Sequence, residues 1–256
     1  MEDDILTSVE NGMLKIILNR PAKKNAITIL MYEKLIQLLN DSAQDNSLYV
    51  VVLTGTGNFF SSGNDFIFTL KGTRNRSFET SDNIDIVKKL VDTLILYPKL
   101  LIVIVNGPAI GIATTILPLF DIIYTSDTAY FHTPFTSLGL SAEGCSTYTF
   151  PKIFGRSKAG DMLYLGYKMT AFEAKQYGFV SEVYKYECLE DVWIYLKKLS
   201  QLSSQSILSI KRLVRKWNEK ILLEVNVEET NEITKRMEST DWVDRFNKII
   251  LHKSKI

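Results

Sequence analysis

The first half of the chain switches repeatedly between two spacings of apolar residues. MLKIILN, at 13–19, is apolar with a strand-like pattern that Arg20-Pro21 ends. Residues 28–44 place Ile29, Tyr32, Leu35, Leu38 and Leu39 at helical spacing behind Thr28, a residue suited to cap a helix. LYVVVLTGTG, at 48–57, is a continuous apolar run closed by glycines, as expected of a strand covered on both faces. After the loop FFSSGND, residues 82–97 return to the helical period. KLLIVIVNGPAIG then reads as a second buried strand running into a turn, ATTILPLFD as a buried helix, and DIIYTSDTAYFHT as two short strands. Strands and helices in this alternation predict an α/β unit with a mainly parallel inner sheet.

Past residue 150 the pattern changes. Residues 156–166 and 170–178 read as helices. The second opens with Thr170 and Glu173 spaced as a capping box and closes at Gly178. From about Glu187 the period is helical almost to the end, with apolar stripes at Trp193, Tyr195 and Leu196 and at Ile207, Leu208, Ile210 and Leu213. The division expected is a core domain over 1–190 and a helical subdomain over 191–256, of the kind that serves packing or oligomerisation.

Composition narrows the classes. With 256 residues, 46% hydrophobic and 23% charged, the chain can bury a substantial core. A formal net charge of +1 argues against a dominant nucleic-acid or membrane-surface role. Small basic groups at Lys23-Lys24, Lys211 to Lys216 and the C-terminus read as solvated helix faces. The two cysteines, Cys145 and Cys188, argue against a disulfide framework, and two histidines against a Cys/His metal cluster. Residues 101–125 reach the ~20 apolar residues a membrane span needs, but Asn106-Gly107-Pro108, Thr114-Thr115, Pro118 and Asp121 interrupt them. A buried strand, turn and helix is the better reading. The opening MEDDILTSVE is acidic and lacks the apolar core of a signal peptide. The last residues, Ser254-Lys255-Ile256, differ from the peroxisomal address S-K-L only by Ile for Leu.

Candidate chemistry sits in two strand-to-loop junctions, GNFFSSGNDF at 57–66 and VNGPAIGIATT at 105–115. Ligands of parallel α/β sheets bind beyond the carboxyl ends of strands. Gly63, Gly107 and Gly111 permit tight turns, so two such loops could aim backbone N–H groups at a developing negative oxygen. Glycines after buried strands more often just turn the chain. Neither loop is a Walker A or a G-x-G-x-x-G sequence, and Ser61 and Ser62 lack a nucleophile elbow. His132, alone in AYFHTPF, reads as a packed residue.

NRPAKKNAI, SSGNDF, NGPAIG, FHTPF and SAEGCSTYTFPKIFG, in this order, resemble the crotonase (enoyl-CoA hydratase/isomerase) superfamily over nearly the whole chain. EGCS points within it to the peroxisomal 3,2-enoyl-CoA isomerases, although the chain leaves no room for the acyl-CoA-binding domain that precedes this one in animal members. The resemblance implies an α/β fold, a crotonase-like spiral of ββα units, with a C-terminal helical oligomerisation subdomain that forms a homotrimer or a dimer of trimers. It assigns an oxyanion hole to the backbone N–H groups of Asn64 and Ile112, binding the thioester oxygen of an acyl-CoA. Ser61, Ser62, Gly63, Asn64, Asp65 and Phe66, with Gly111, would line the coenzyme A channel, and Lys24 and Ala26, with Lys23, would approach the nucleotide end. No cofactor or metal is expected, coenzyme A being part of the substrate.

The acid/base residues decide which reaction of this superfamily is expected. The resembling hydratases use two glutamates, at places that here hold Thr115 and Phe135. Hydration needs both, so hydratase activity is not expected. Moving a double bond from the 3 to the 2 position needs one base. Between residues 100 and 150 the carboxylates are Asp121, Asp127 and Glu143. Asp121 reads as a cap or local partner and Asp127 as a turn residue, while Glu143 has apolar surroundings that would raise its pKa. The resemblance makes Glu143 the catalytic base. Cys145, with no base evident nearby, reads as a packing residue, and Phe135, Leu138, Leu140 and Phe150 as core residues or the lining of an acyl pocket. The expectation is an isomerase of 3-enoyl-CoA in β-oxidation, in the peroxisome through Ser254-Lys255-Ile256 and its import receptor, with the mitochondrion as the alternative. A non-catalytic CoA-binding module and a dienoyl-CoA isomerase remain the other readings.

Overall fold

A computed structural model describes residues 3–65 and 80–253 of the chain. The expectations for Phe66 and for Ser254-Lys255-Ile256 fall outside the described residues. Strands β1 (Ile5–Glu10), β2 (Met13–Leu18), β3 (Val50–Gly55), β4 (Leu100–Val105), β6 (Ile122–Ser126) and β9 (Glu182–Tyr184) form one sheet in the order β1-β2-β3-β4-β6-β9. Only β1 and β2 pair antiparallel, so the inner sheet is parallel as expected. β1 itself carries no sequence signal, because five of its six residues are exposed and none alternates towards a core.

Side-chain alternation splits β2–β4 cleanly between two cores. Leu14, Ile16, Leu18, Val51, Leu53, Leu101, Val103 and Val105 face the larger one. Met13, Val50, Val52, Leu100, Ile102 and Ile104 face the smaller. Helices α1 (Ile29–Gln44) and α2 (Thr80–Leu96) cover the first face. Thr28 caps α1 as expected, its hydroxyl accepting from the Met31 N–H at 3.3 Å.

After β4 the chain enters β5 (Ala109–Ile110), the short helix α3 (Ile112–Thr115) and β6, as the strand, turn and buried helix reading requires. β5 joins β7 (Tyr130–His132) and β8 (Met169–Thr170) in a second, three-stranded sheet. α4 (Ser146–Leu165) starts ten residues earlier than its period suggests, with Pro151 inside it and a break at Gly155. α5 (Ala171–Gln176) carries the complete Thr170–Glu173 capping box.

The C-terminal helices α6 (Leu189–Lys197), α7 (Ser204–Arg215), α8 (Glu219–Met237) and α9 (Thr240–Lys253) pack back onto the rest. α6 seals the smaller core with Val192 and Leu196, and α8 lies along α2. Two expectations change here. Lys211 is not a solvated lysine but a buried one, 2.8 Å from Asp121. Asp121 is not locally paired: it also meets Arg215 at 2.9 Å and accepts the Leu101 N–H at 2.7 Å. This buried cluster ties α7 to the start of β4. Among the described residues no helix is long and apolar enough to cross a membrane.

Candidate active site

The two glycine loops meet edge to edge. Ser61 bridges Ala109 in parallel, the Ile110 N–H donates to the Ser61 carbonyl at 3.0 Å, and the Phe60 N–H donates to Pro108 at 3.1 Å. Gly63 closes the junction with φ +84, and a Cβ on it would stand 2.7 Å from the Ile110 carbonyl oxygen. Nothing larger than glycine fits there without moving backbone. The Ser61 hydroxyl donates to the Asn25 carbonyl and accepts the Gly63 N–H, so it is consumed in shaping the loop. The Asn64 and Ile112 N–H groups flank this contact and have no acceptor among the described residues. Gly111 N–H is held by the His132 carbonyl at 2.8 Å, which gives His132 a structural part in the second loop.

A third segment joins them. Residues 139–145 turn through Gly139, Gly144 and Cys145, all at positive φ. Gly144 packs so closely on α3 that a Cβ would lie 2.5 Å from Thr115 Oγ1 and 3.3 Å from Ile112 Cδ1. Small side chains at both places let Glu143 stand over the junction. Glu143, Gly144, Asn64, Asp65, Tyr32, Phe135 and Leu140 line one cavity of about 800 Å³ including its open mouth. Its far wall is apolar, with Ile84, Val87 and Val91 of α2 and Ile233 and Met237 of α8. Gly111, Ile112, Leu138 and Phe150 are not among the residues that line it. Phe150 is fully buried against Phe154 and Phe179.

Lys24, Ala26, Ser61 and Ser62 lie outside this cavity. The Lys24 carbonyl accepts the Ser62 N–H at 2.9 Å, which places that exposed lysine beside the first glycine loop, its Nζ 4.9 Å from the centre of the Phe59 ring. Asp65 is paired with Arg20 at 3.0 Å.

Glu143 is partly buried, and burial first, then the charge of Glu229, pushes its carboxyl up to about 8. The Asn64 side chain opposes this weakly, its Nδ2 donating to Glu143 Oε1 across 3.5 Å. Tyr32 fixes that amide, since its hydroxyl donates to Asn64 Oδ1 and so turns the NH₂ towards the glutamate. Burial, and next the charge of Glu143, raise the Tyr32 hydroxyl well above its ordinary value, so it stays a donor. The Cys145 thiol is likewise raised by burial, which suits packing and not nucleophilic attack.

Three of these side chains escaped the sequence reading. Tyr32 passed as one member of an apolar stripe, and Asn64 counted for its backbone N–H and as channel lining, not as a side-chain partner of Glu143. Glu229 lies in the C-terminal helical region, far along the chain. Its signal is that Leu222, Asn226, Glu229, Ile233 and Met237 recur at helical spacing, which sets an acid on an otherwise inward face.

The chain is similar to known proteins over nearly its whole length. A family model described as enoyl-CoA hydratase/isomerase matches residues 8–245. The mouse protein named enoyl-CoA delta isomerase 3, peroxisomal, is 43% identical over 98% of this chain and 80% of its own length. Human enoyl-CoA delta isomerase 2 is 40% identical over 99% of this chain, which spans only 65% of that protein. Among solved structures, an enoyl-CoA hydratase/isomerase from Pseudoalteromonas atlantica T6c superposes with a TM-score of 0.88 over 98% of both chains at 27% identity.

Proposed function

The chain belongs to the enoyl-CoA hydratase/isomerase family, and on that premise we propose that it is an isomerase that moves the double bond of a 3-enoyl-CoA to the 2-trans position. The names of the mouse and human relatives support the reaction class. The observation that carries the choice of base is the state of the carboxylates in the cavity. Asp65 is paired with Arg20, both oxygens of Glu229 accept hydrogen bonds, and among the described residues the side chain of Glu143 has only the long contact to Asn64.

In this reading Glu143 removes a proton from C2 of the substrate. The electron pair moves through the thioester to its oxygen, giving a dienolate, and the same carboxyl returns the proton to C4 as the double bond forms between C2 and C3. The N–H groups of Asn64 and Ile112 hold the oxygen while it is negative. One such donor is worth roughly 10²–10³ in rate. A base near 8 is ionised in a minority of molecules at neutral pH but is a stronger proton acceptor than an ordinary glutamate, which suits a weakly acidic carbon. Only a proton moves, so the reaction needs no redox cofactor. The coenzyme A part runs along Lys24, Ala26, residues 61–65 and Gly111, and the acyl chain enters the apolar wall between α2 and α8. Replacement of the hydratase glutamates by Thr115, whose hydroxyl packs on Gly144, and by Phe135, which lines the cavity, supports isomerisation over hydration.

The reading extends to a peroxisomal location, supported by the name of the mouse relative, and to assembly as a trimer or dimer of trimers. Fluorescent fusions with and without Ser254-Lys255-Ile256 test the first, and sedimentation the second. The reaction is tested by supplying a 3-enoyl-CoA and, separately, a 2-enoyl-CoA. The expected result is conversion of the first and no hydration of the second. Glu143→Gln should bind acyl-CoA and lose roughly 10³ in turnover; near-normal turnover in that variant removes the assignment.

A further inference from the structure

Glu229 sits on α8, 86 residues after Glu143, yet it governs the turn that follows the base. It is 5% exposed. Its Oε2 accepts the Cys145 N–H at 2.7 Å, and its Oε1 accepts both the Thr147 N–H at 2.8 Å and the Thr147 hydroxyl at 2.6 Å. These are the free N–H groups at the start of α4, the place where a carboxylate is best accommodated. The turn it grips is an unfavourable one. Gly144 and Cys145 occupy the left-handed region in succession, at φ +68 and +63, and cysteine has no intrinsic preference for it.

Resting on the isomerase reading, we propose that Glu229 is the positioning residue of the base: it clamps the Gly144–Cys145 turn that holds Glu143 over the cavity and sets a second carboxylate beside it. Glu229 does not act as a second proton carrier, because each of its oxygens is already engaged by donors from residues 145 and 147. This distinguishes the site from one with two working carboxylates, although three acids, Asp65, Glu143 and Glu229, line the same cavity. The other charged or titratable groups facing the cavity are Tyr32 of α1, Asp65 paired with Arg20, and Lys88 of α2 paired with Asp92 at 2.6 Å. Asp92 is further held by Asn226 of α8 at 2.8 Å. Lys88 is thus neutralised by its own helix, and the charge that bears on Glu143 is that of Glu229, whose own carboxyl burial raises against the opposing bonds from Thr147 and Cys145.

Glu229→Gln keeps the shape, removes the charge, and sets an NH₂ against an N–H at one end of the clamp. In the full-length enzyme kcat for a 3-enoyl-CoA should fall about ten- to hundredfold, with KM changed less than about threefold. The acid limb of kcat/KM should move down by about one pH unit, because the ionised base no longer faces a like charge. Infrared titration supplies a readout independent of turnover. The protonated-carboxyl band that Glu143→Gln abolishes should titrate at lower pH in Glu229→Gln. A variant that melts earlier but keeps kcat, the pH limb and the band unchanged overturns the proposal. If Glu229→Gln does not fold, Thr147→Val strips one donor at an exposed position: lower kcat at unchanged melting temperature supports the clamp, and wild-type kcat overturns it. Absence of isomerisation in the wild-type enzyme would instead refute the proposed function, and the infrared titration would still decide the role of Glu229.

Discussion

Replacing Gly63 by alanine tests whether the contact between the two glycine loops sets the activity. Gly63 has φ +84, and the added Cβ would stand 2.7 Å from the Ile110 carbonyl oxygen. The left-handed backbone alone costs about 1–2 kcal/mol for a residue with a Cβ. Carbon–oxygen contacts settle near ~3.3 Å, so the loops must part by about 0.6 Å. They are pinned by the Ile110 N–H to Ser61 carbonyl bond of 3.0 Å and the Ile27 N–H to Gly63 carbonyl bond of 2.9 Å, both of which would stretch. The combined loss of stability should be about 2–4 kcal/mol. Asn64 follows Gly63 directly, and Ile112 lies two residues beyond Ile110, so the parting opens the distance between the two N–H groups. A misplacement of ~1 Å can cost ~10² in rate, so kcat should fall at least roughly tenfold. Urea unfolding and steady-state turnover measure the two effects. Gly178→Ala is the control, since Gly178 has φ +73 and its Cβ would meet nothing within 4 Å. It should lose about 1–2 kcal/mol and keep its turnover. A Gly63→Ala enzyme with kcat within twofold of the control refutes the argument.

Three further outcomes follow from the buried charges. Because only the ionised form of Glu143 can take the C2 proton, kcat/KM should rise as pH increases towards about 8 and then level. The same group makes folding weaker over that interval: its folded value lies above its unfolded one, so stability is full below about 4.5 and declines as pH rises towards 8, a slope that Glu143→Gln should flatten in urea titrations. Asp121→Asn should cost about 3–5 kcal/mol by urea unfolding, because it leaves Lys211, which burial already lowers to about 8, without its carboxylate partner; a loss under about 1 kcal/mol would show that water reaches the cluster.

Much of this molecule could be read along the chain because its signals are local. The runs at 48–53 and 100–105 are apolar at every position, as both faces of β3 and β4 are covered. Thr28 and the Thr170–Glu173 pair announce their helices by hydrogen bonds that span three residues. β1 was silent because its support is the neighbouring strand and not its own side chains. The start of α4 was hidden for a similar reason: its first N–H groups are capped by Glu229, from a helix that begins more than seventy residues later.

The candidate site divides the same way. Gly63, Gly111 and Glu143 stand out in the sequence because glycine and a lone acid in an apolar segment are conspicuous residue types. Their roles depend on distances that no spacing contains. Only the folded chain brings Gly63 against Ile110, sets Gly144 on Thr115, and turns Asn64 towards Glu143 through the Tyr32 hydroxyl. Only the folded chain converts Lys211 from a surface lysine into the buried partner of Asp121. The amino-acid order by itself determined most of the elements, their parallel arrangement and Glu143 as a conspicuous acid, since periodicity and residue type act within a few residues. Tertiary packing decided the environment of that base, because burial and a neighbouring charge from α8 are properties of contacts between segments far apart in the chain.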